Sequence, residues 1–113
     1  MTINEFLECF NGTLKQKRLE MGLENSGHLV FYQCYDKKIG NYYDYHLNIE
    51  YVCAGKTSKR FVSYSRTVQV KGGQEGREKE EKALHKAIVS LFLTKMLQPG
   101  IYESLTDGSY GTE

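Results

Sequence analysis

The sequence predicts an α+β domain in the order α-β-β-β-α, with a three-stranded antiparallel sheet and two helices packed on one face. Three observations carry this. Tyr43, Tyr45, Leu47, Ile49, Tyr51 and Cys53 alternate with Asp44, His46, Asn48 and Glu50. Only a strand with one buried and one wet face explains that two-residue repeat. Stretches before and after the sheet each carry one apolar stripe at helical spacing. The connections between strands are short, which implies hairpins and an antiparallel meander. Elements with one apolar side each are satisfied by two layers.

The first helix is expected over residues 2–20. Ile3, Phe6, Leu7, Phe10 and Leu14 form its stripe, and Thr2 with Glu5 makes a capping box. Asn11-Gly12 is a point where this helix is expected to bend or end. Lys15, Lys17 and Arg18 suit the negative pole of its dipole. Gly22 and Asn25-Ser26-Gly27 form the exit loop. The first strand covers 28–35, a turn follows over 36–41, and the second strand covers 42–54. After a turn at 55–58, the third strand runs over 59–70, with Val62, Tyr64, Val68 and Val70 on one face. Gly72-Gly73-Gln74-Glu75-Gly76 breaks it. The second helix is expected from about 76 to 97, burying Leu84, Ala87, Ile88, Leu91 and Phe92 and ending at Gln98-Pro99-Gly100. The first strand is apolar on both sides, since Leu29, Phe31 and Tyr35 alternate with Val30, Tyr32 and Cys34. The tail or a second copy of the chain is expected to cover its outer side.

At 113 residues the chain is one domain. Residues 1–100 are expected to hold the fold, and 101–113 to form an acidic C-terminal tail, partly disordered, with Glu103, Asp107 and Glu113 and no base. Nine tyrosines against no tryptophan suit half-buried strands and binding surfaces alike. Cys9, Cys34 and Cys53 are odd in number and widely spaced, as in the reduced thiols of a cytoplasmic protein. No run approaches the roughly 18 apolar residues that cross a bilayer, so no membrane partner is expected. His28, His46 and His85 lie far apart with no local Cys or His pair, so neither a metal nor another cofactor is expected. A general base could be assembled from His46 and Asp44, with Cys34 on the neighbouring strand, but a wet strand face accounts for the same residues. The chain reads as no enzyme.

Net charge is +1, and its distribution is uneven. Residues 27–72 hold Lys37, Lys38, Lys56, Lys59, Arg60, Arg66 and Lys71 against Asp36, Asp44 and Glu50. Between Lys56 and Lys71 there is no acid, and Phe61 and Tyr64 are interleaved with the bases. Bases neutralise phosphates and aromatics stack on nucleobases. A solvated strand face guarded by lysines would look the same. Lys79, Lys82 and Lys86 share one face of the last helix, among Glu75, Glu78, Glu80 and Glu81, which would repel a phosphate and make i,i+4 pairs such as Glu78–Lys82 and Glu81–His85.

With this order of elements, and with Lys79, Lys82 and Lys86 at the start of an alanine-containing last helix, residues 3–97 resemble the double-stranded RNA-binding domain. His46, following Gly40, lies in the region of that family's loop histidine. The resemblance implies that the first helix and the first hairpin loop read minor grooves, while the lysine cluster clamps the phosphates between them. The sequence therefore points to a nucleic-acid-binding module, for duplex or single strands, using Lys56, Lys59, Arg60, Arg66, Lys71, Lys79, Lys82 and Lys86. The competing reading is a protein-interaction module of a phage or mobile element, a virion component or inhibitor of a host enzyme. It would act as a homo-oligomer through the first strand.

Overall fold

The structure, a computed structural model, describes residues 1–24 and 27–112. Asn25 and Ser26 of the expected exit loop, and Glu113 of the tail, lie outside the described residues. The order is α1 (Ile3–Glu20), β1 (His28–Lys37), β2 (Tyr42–Val52), β3 (Lys59–Gln69), α2 (Gly73–Met96) and α3 (Ile101–Asp107). Short 3-10 turns cover Ile39–Asn41 and Ser109–Thr112. The sheet is antiparallel in the order β1-β2-β3.

β2 is the central strand, and its alternation reads directly as burial. Tyr45, Leu47, Ile49 and Tyr51 are fully enclosed, while His46 is exposed. The buried side meets Leu14 of α1, Leu84, Ile88 and Phe92 of α2, and Leu105 of α3 in one core. Phe6 and Phe10 meet Phe92 edge-on, joining α1 to α2. The capping box at Thr2 and Glu5 is formed in both directions.

Several differences from the sequence expectation have physical causes. α1 does not break at Asn11-Gly12, because the Asn11 side chain is held by β1: its amide donates to the Leu29 carbonyl at 2.9 Å and accepts from the Leu29 N–H at 2.8 Å. Arg18 is not a solvated dipole partner. It is 3% exposed and donates to the carbonyls of Gly27 and Leu105 and to the Tyr51 hydroxyl. α2 starts three residues early, at Gly73. Gly76 sits inside it because a Cβ there would lie 1.7 Å from the Lys71 carbonyl. On its far half Leu91 is 40% exposed, and the turn below is fixed by Lys95 instead.

The last difference concerns the tail. Residues 101–112 are folded rather than loose: Leu105 is fully buried and Tyr110 nearly so. Tyr110 packs against Tyr51 and Phe61, and its hydroxyl donates to the Arg60 carbonyl at 3.1 Å. The tail thus closes one end of the core on the helix side. It does not cover the outer face of β1, where Tyr32 stays 47% exposed.

The molecule measures 53 × 26 × 24 Å. At one end lie the start of β1, the β2–β3 turn, α1, α3 and the end of α2. At the other lie the β1–β2 turn, the end of β3 and only the start of α2. That second end projects. Its helix is fastened there by Arg77 stacked over Tyr35 and Tyr43, and by Glu81, which accepts from the Tyr45 hydroxyl at 3.0 Å. No helix of the described residues is long and apolar enough to cross a membrane.

Candidate nucleic-acid interface

The eight bases singled out in the sequence fall into separate places. Lys56 is exposed in the β2–β3 turn, and Lys59 and Arg60 follow at the start of β3. Lys59 is spent inside the fold: its ammonium donates to the Tyr110 carbonyl at 3.3 Å and sits 4.3 Å from that ring's centre. Arg60 pairs in register with Glu50 on the outer face. Arg66 stands opposite Tyr45, on the face that carries the helices, and is exposed at the sheet edge. Lys71 lies at the far end of β3, about 36 Å of extended strand away from Lys59.

Lys79, Lys82 and Lys86 are exposed on α2. The side of α2 that packs on the sheet carries Arg77, Glu81, Leu84, His85, Ile88 and Phe92. At 100° per residue the three lysines therefore point away from the sheet. Two of the glutamates that threatened this stripe are occupied elsewhere. Glu78 accepts from the Gln74 amide at 3.4 Å, and Glu81 holds Tyr45 and Arg77. Among the described residues none of the three lysines forms an ion pair.

Near the start of α2 the β1–β2 turn adds residues that the sequence reading left out of the site. Lys37, Lys38, Ile39, Tyr42 and Thr67 line an open depression of about 670 Å³. Tyr42 is 44% exposed there. Lys38 reaches Asp44 at 3.9 Å, which accepts a hydrogen bond from Thr67. Two adjacent lysines followed by a tyrosine pair were the available signal. Their importance depends on the hairpin bringing them beside Lys71, which no local pattern states.

The open sheet face arranges Cys34, His46 and Ser65 in a row across the three strands. His46 Nδ1 lies 3.1 Å from the Ser65 hydroxyl. Both side chains and Cys34 are exposed on the side of the sheet away from the helices. Among the described residues no three His, Cys, Asp or Glu side chains are grouped to hold a metal ion.

Two groups under α2 are shifted by their surroundings. Burial pushes the Tyr45 phenol above its ordinary value, with the hydrogen bond to Glu81 adding to the effect against Arg77. Burial holds the His85 imidazole below its ordinary value, partly offset by Glu81. His85 lies 2.6 Å from the Gln33 side-chain oxygen and edge-on to Phe31, tying α2 to β1. Comparisons with protein-family models, curated proteins and solved structures find no match to this chain.

Proposed function

We propose that this domain is a small nucleic-acid-binding module, acting in the cytoplasm, whose contact surface is the outward side of α2 together with the projecting end of the sheet. The observation that carries it is the stripe Lys79, Lys82 and Lys86, solvent-facing while two neighbouring glutamates are held by Gln74, Tyr45 and Arg77. Lys71, Lys37 and Lys38 extend the positive surface, and Tyr42 offers a ring for stacking. The order α1-β1-β2-β3-α2, to which α3 is added, is the basis of the resemblance to the double-stranded RNA-binding domain, and on that reading a duplex is favoured over a single strand. Lys56, Lys59 and Arg60 stand at the opposite end and are outside this surface.

The test is an anisotropy titration with labelled duplex RNA, duplex DNA and single strands at two salt concentrations. Binding is expected to weaken steeply with salt. Lys79→Gln with Lys82→Gln should lower affinity about tenfold or more and reduce the salt slope by roughly two. Lys56→Gln with Arg60→Gln should leave affinity nearly unchanged. Absence of binding at low salt would sink the reading.

A second reading, an interaction module of phage or mobile-element type acting as a homo-oligomer, is favoured by one observation. β1 is an edge strand with Tyr32 and Tyr35 47% and 41% exposed.

A further inference from the structure

The two edges of the sheet are finished differently. Along β3 the edge is closed at the end next to the β2–β3 turn. A register shift at Ile49/Glu50 bulges the strand and leaves Phe61 as the extra residue. The carbonyls beside that bulge are taken, Phe61 by the Lys95 ammonium at 2.8 Å and Arg60 by Tyr110. Arg60, Arg66 and Lys71 add charge that opposes a second strand.

β1 has none of these devices over most of its length. It runs ten residues in unbroken register with β2, without proline or bulge. Asn11 occupies both the N–H and the carbonyl of Leu29. Those groups therefore point away from β2, and by the alternation of an antiparallel ladder so do those of Phe31, Gln33, Tyr35 and Lys37. They meet no partner among the described residues. Asn11 thus ends the free edge at one side, and the 3-10 turn at Ile39–Asn41 ends it at the other.

The four free positions are centred on Cys34. We propose that β1 pairs antiparallel with β1 of a second copy of this chain about a two-fold axis through Cys34, giving a continuous six-stranded sheet. This proposal rests on the interaction reading and gives it a geometry. In this register Phe31 faces Lys37 of the other copy and Gln33 faces Tyr35, so about eight new backbone hydrogen bonds satisfy every free group and displace nothing from Leu29. The charges fit the choice: Asp36 lies beside Tyr32 of the other copy rather than beside a second Asp36. A register moved two residues toward the turn would oppose like charges. The half-exposed Tyr32 and Tyr35 are covered at the seam. All helices fall on the same side of the joined sheet, so both α2 lysine stripes face the same way.

The register makes a sharp prediction about one atom pair. Cys34 stands opposite Cys34 in a pair without backbone bonds, with Cα atoms about 4.5 Å apart, inside the roughly 4.4–6.8 Å that a disulfide spans. Cys34 is exposed on the outer face. The experiment begins with light scattering on the unmodified chain, where twice the 13.0 kDa chain mass is expected. A chain carrying Cys9→Ser and Cys53→Ala is then treated with diamide, which takes up the two electrons and two protons released as the Cys34 thiols join. A covalent dimer is expected, lost in Cys34→Ser. Gln33→Pro removes an outward N–H and should return the particle to monomer with an unchanged far-ultraviolet spectrum. If that variant does not fold, amide exchange in the unmodified chain reads the same contact: Phe31, Gln33, Tyr35 and Lys37 should be protected at high concentration and exposed on dilution. A monomer at about 100 μM overturns the proposal and the interaction reading together. A dimer that neither bridges through Cys34 nor protects these amides overturns the pairing while leaving that reading standing.

Discussion

The closed end and the projecting end of this molecule are built from the same three strands but held by different forces. At the closed end, α1, α2 and α3 surround Leu14, Leu29, Tyr51, Phe92 and Leu105, and a buried guanidinium ties four segments together. At the projecting end the start of α2 rests on three tyrosine rings through Arg77 and Glu81, beside the buried Val68 and Val70. The difference teaches that the sheet is not stabilised evenly. Three helices enclose one half, while the other half, although it buries Tyr43, Tyr45, Val68 and Val70, carries one helix and leaves Lys37, Lys38, Lys71, Tyr35 and Tyr42 exposed. Local stability of this unequal kind is what binding surfaces require.

The comparison can be broken most forcefully at Arg18. Arg18→Ala removes three hydrogen bonds from a charged donor and leaves buried carbonyls unsatisfied. It is expected to cost about 3 kcal/mol or more in urea unfolding. Loss of less than about 1 kcal/mol would show that the closed end does not depend on this staple. Asn11→Ala deletes both bonds to Leu29 and should cost about 1–2 kcal/mol, read the same way. At the projecting end, Tyr45→Phe removes the hydroxyl that Glu81 accepts from, for about 1 kcal/mol. Faster amide exchange confined to the first turns of α2 would mark it as local. Equal acceleration at Leu84 and Phe92 would argue that the two ends unfold as one unit.

The smallest effect is a pH dependence. The folded state holds His85 below the ordinary imidazole value, so as pH falls through about 6.5 the unfolded chain takes the proton first. Stability is therefore full above that pH, declines as pH falls toward the folded-state value, and levels off below it. Midpoints of unfolding at pH 7.5 and pH 5 should differ in that direction, and His85→Gln should flatten the difference. The partial exposure of His85 keeps the effect small.

Much of the closed end was legible in the sequence. The period of β2, the stripe of α1 and the Thr2–Glu5 box each state a local rule that the fold obeys. The α+β class follows from them, and so does the side of β2 that is buried. What stayed hidden depended on long-range contact. The bulge that turns Phe61 inward shifts the two-residue count of β3, and no periodicity reports it. Ile101 and Leu105 stand four apart, which is a helical signal. But the segment is seven residues long and gains its stability by docking on α1 and α2. The proposed interface was legible in part: Lys79, Lys82 and Lys86 share a face by spacing alone. The distance between Lys56 and Lys71 and the internal use of Lys59 follow only from where the strands end.

The bond from Arg18 to the Leu105 carbonyl, 2.8 Å long, joins residues 87 positions apart. During synthesis the first helix emerges long before its last acceptor exists. Until then its guanidinium has no dry place to go, so α1 is expected to remain undocked while the β-meander, whose pairings are local, assembles first. The N-terminal segment of this chain is thus among the last to settle, and a nascent chain stalled before Ile101 should expose it to proteases that the finished protein resists.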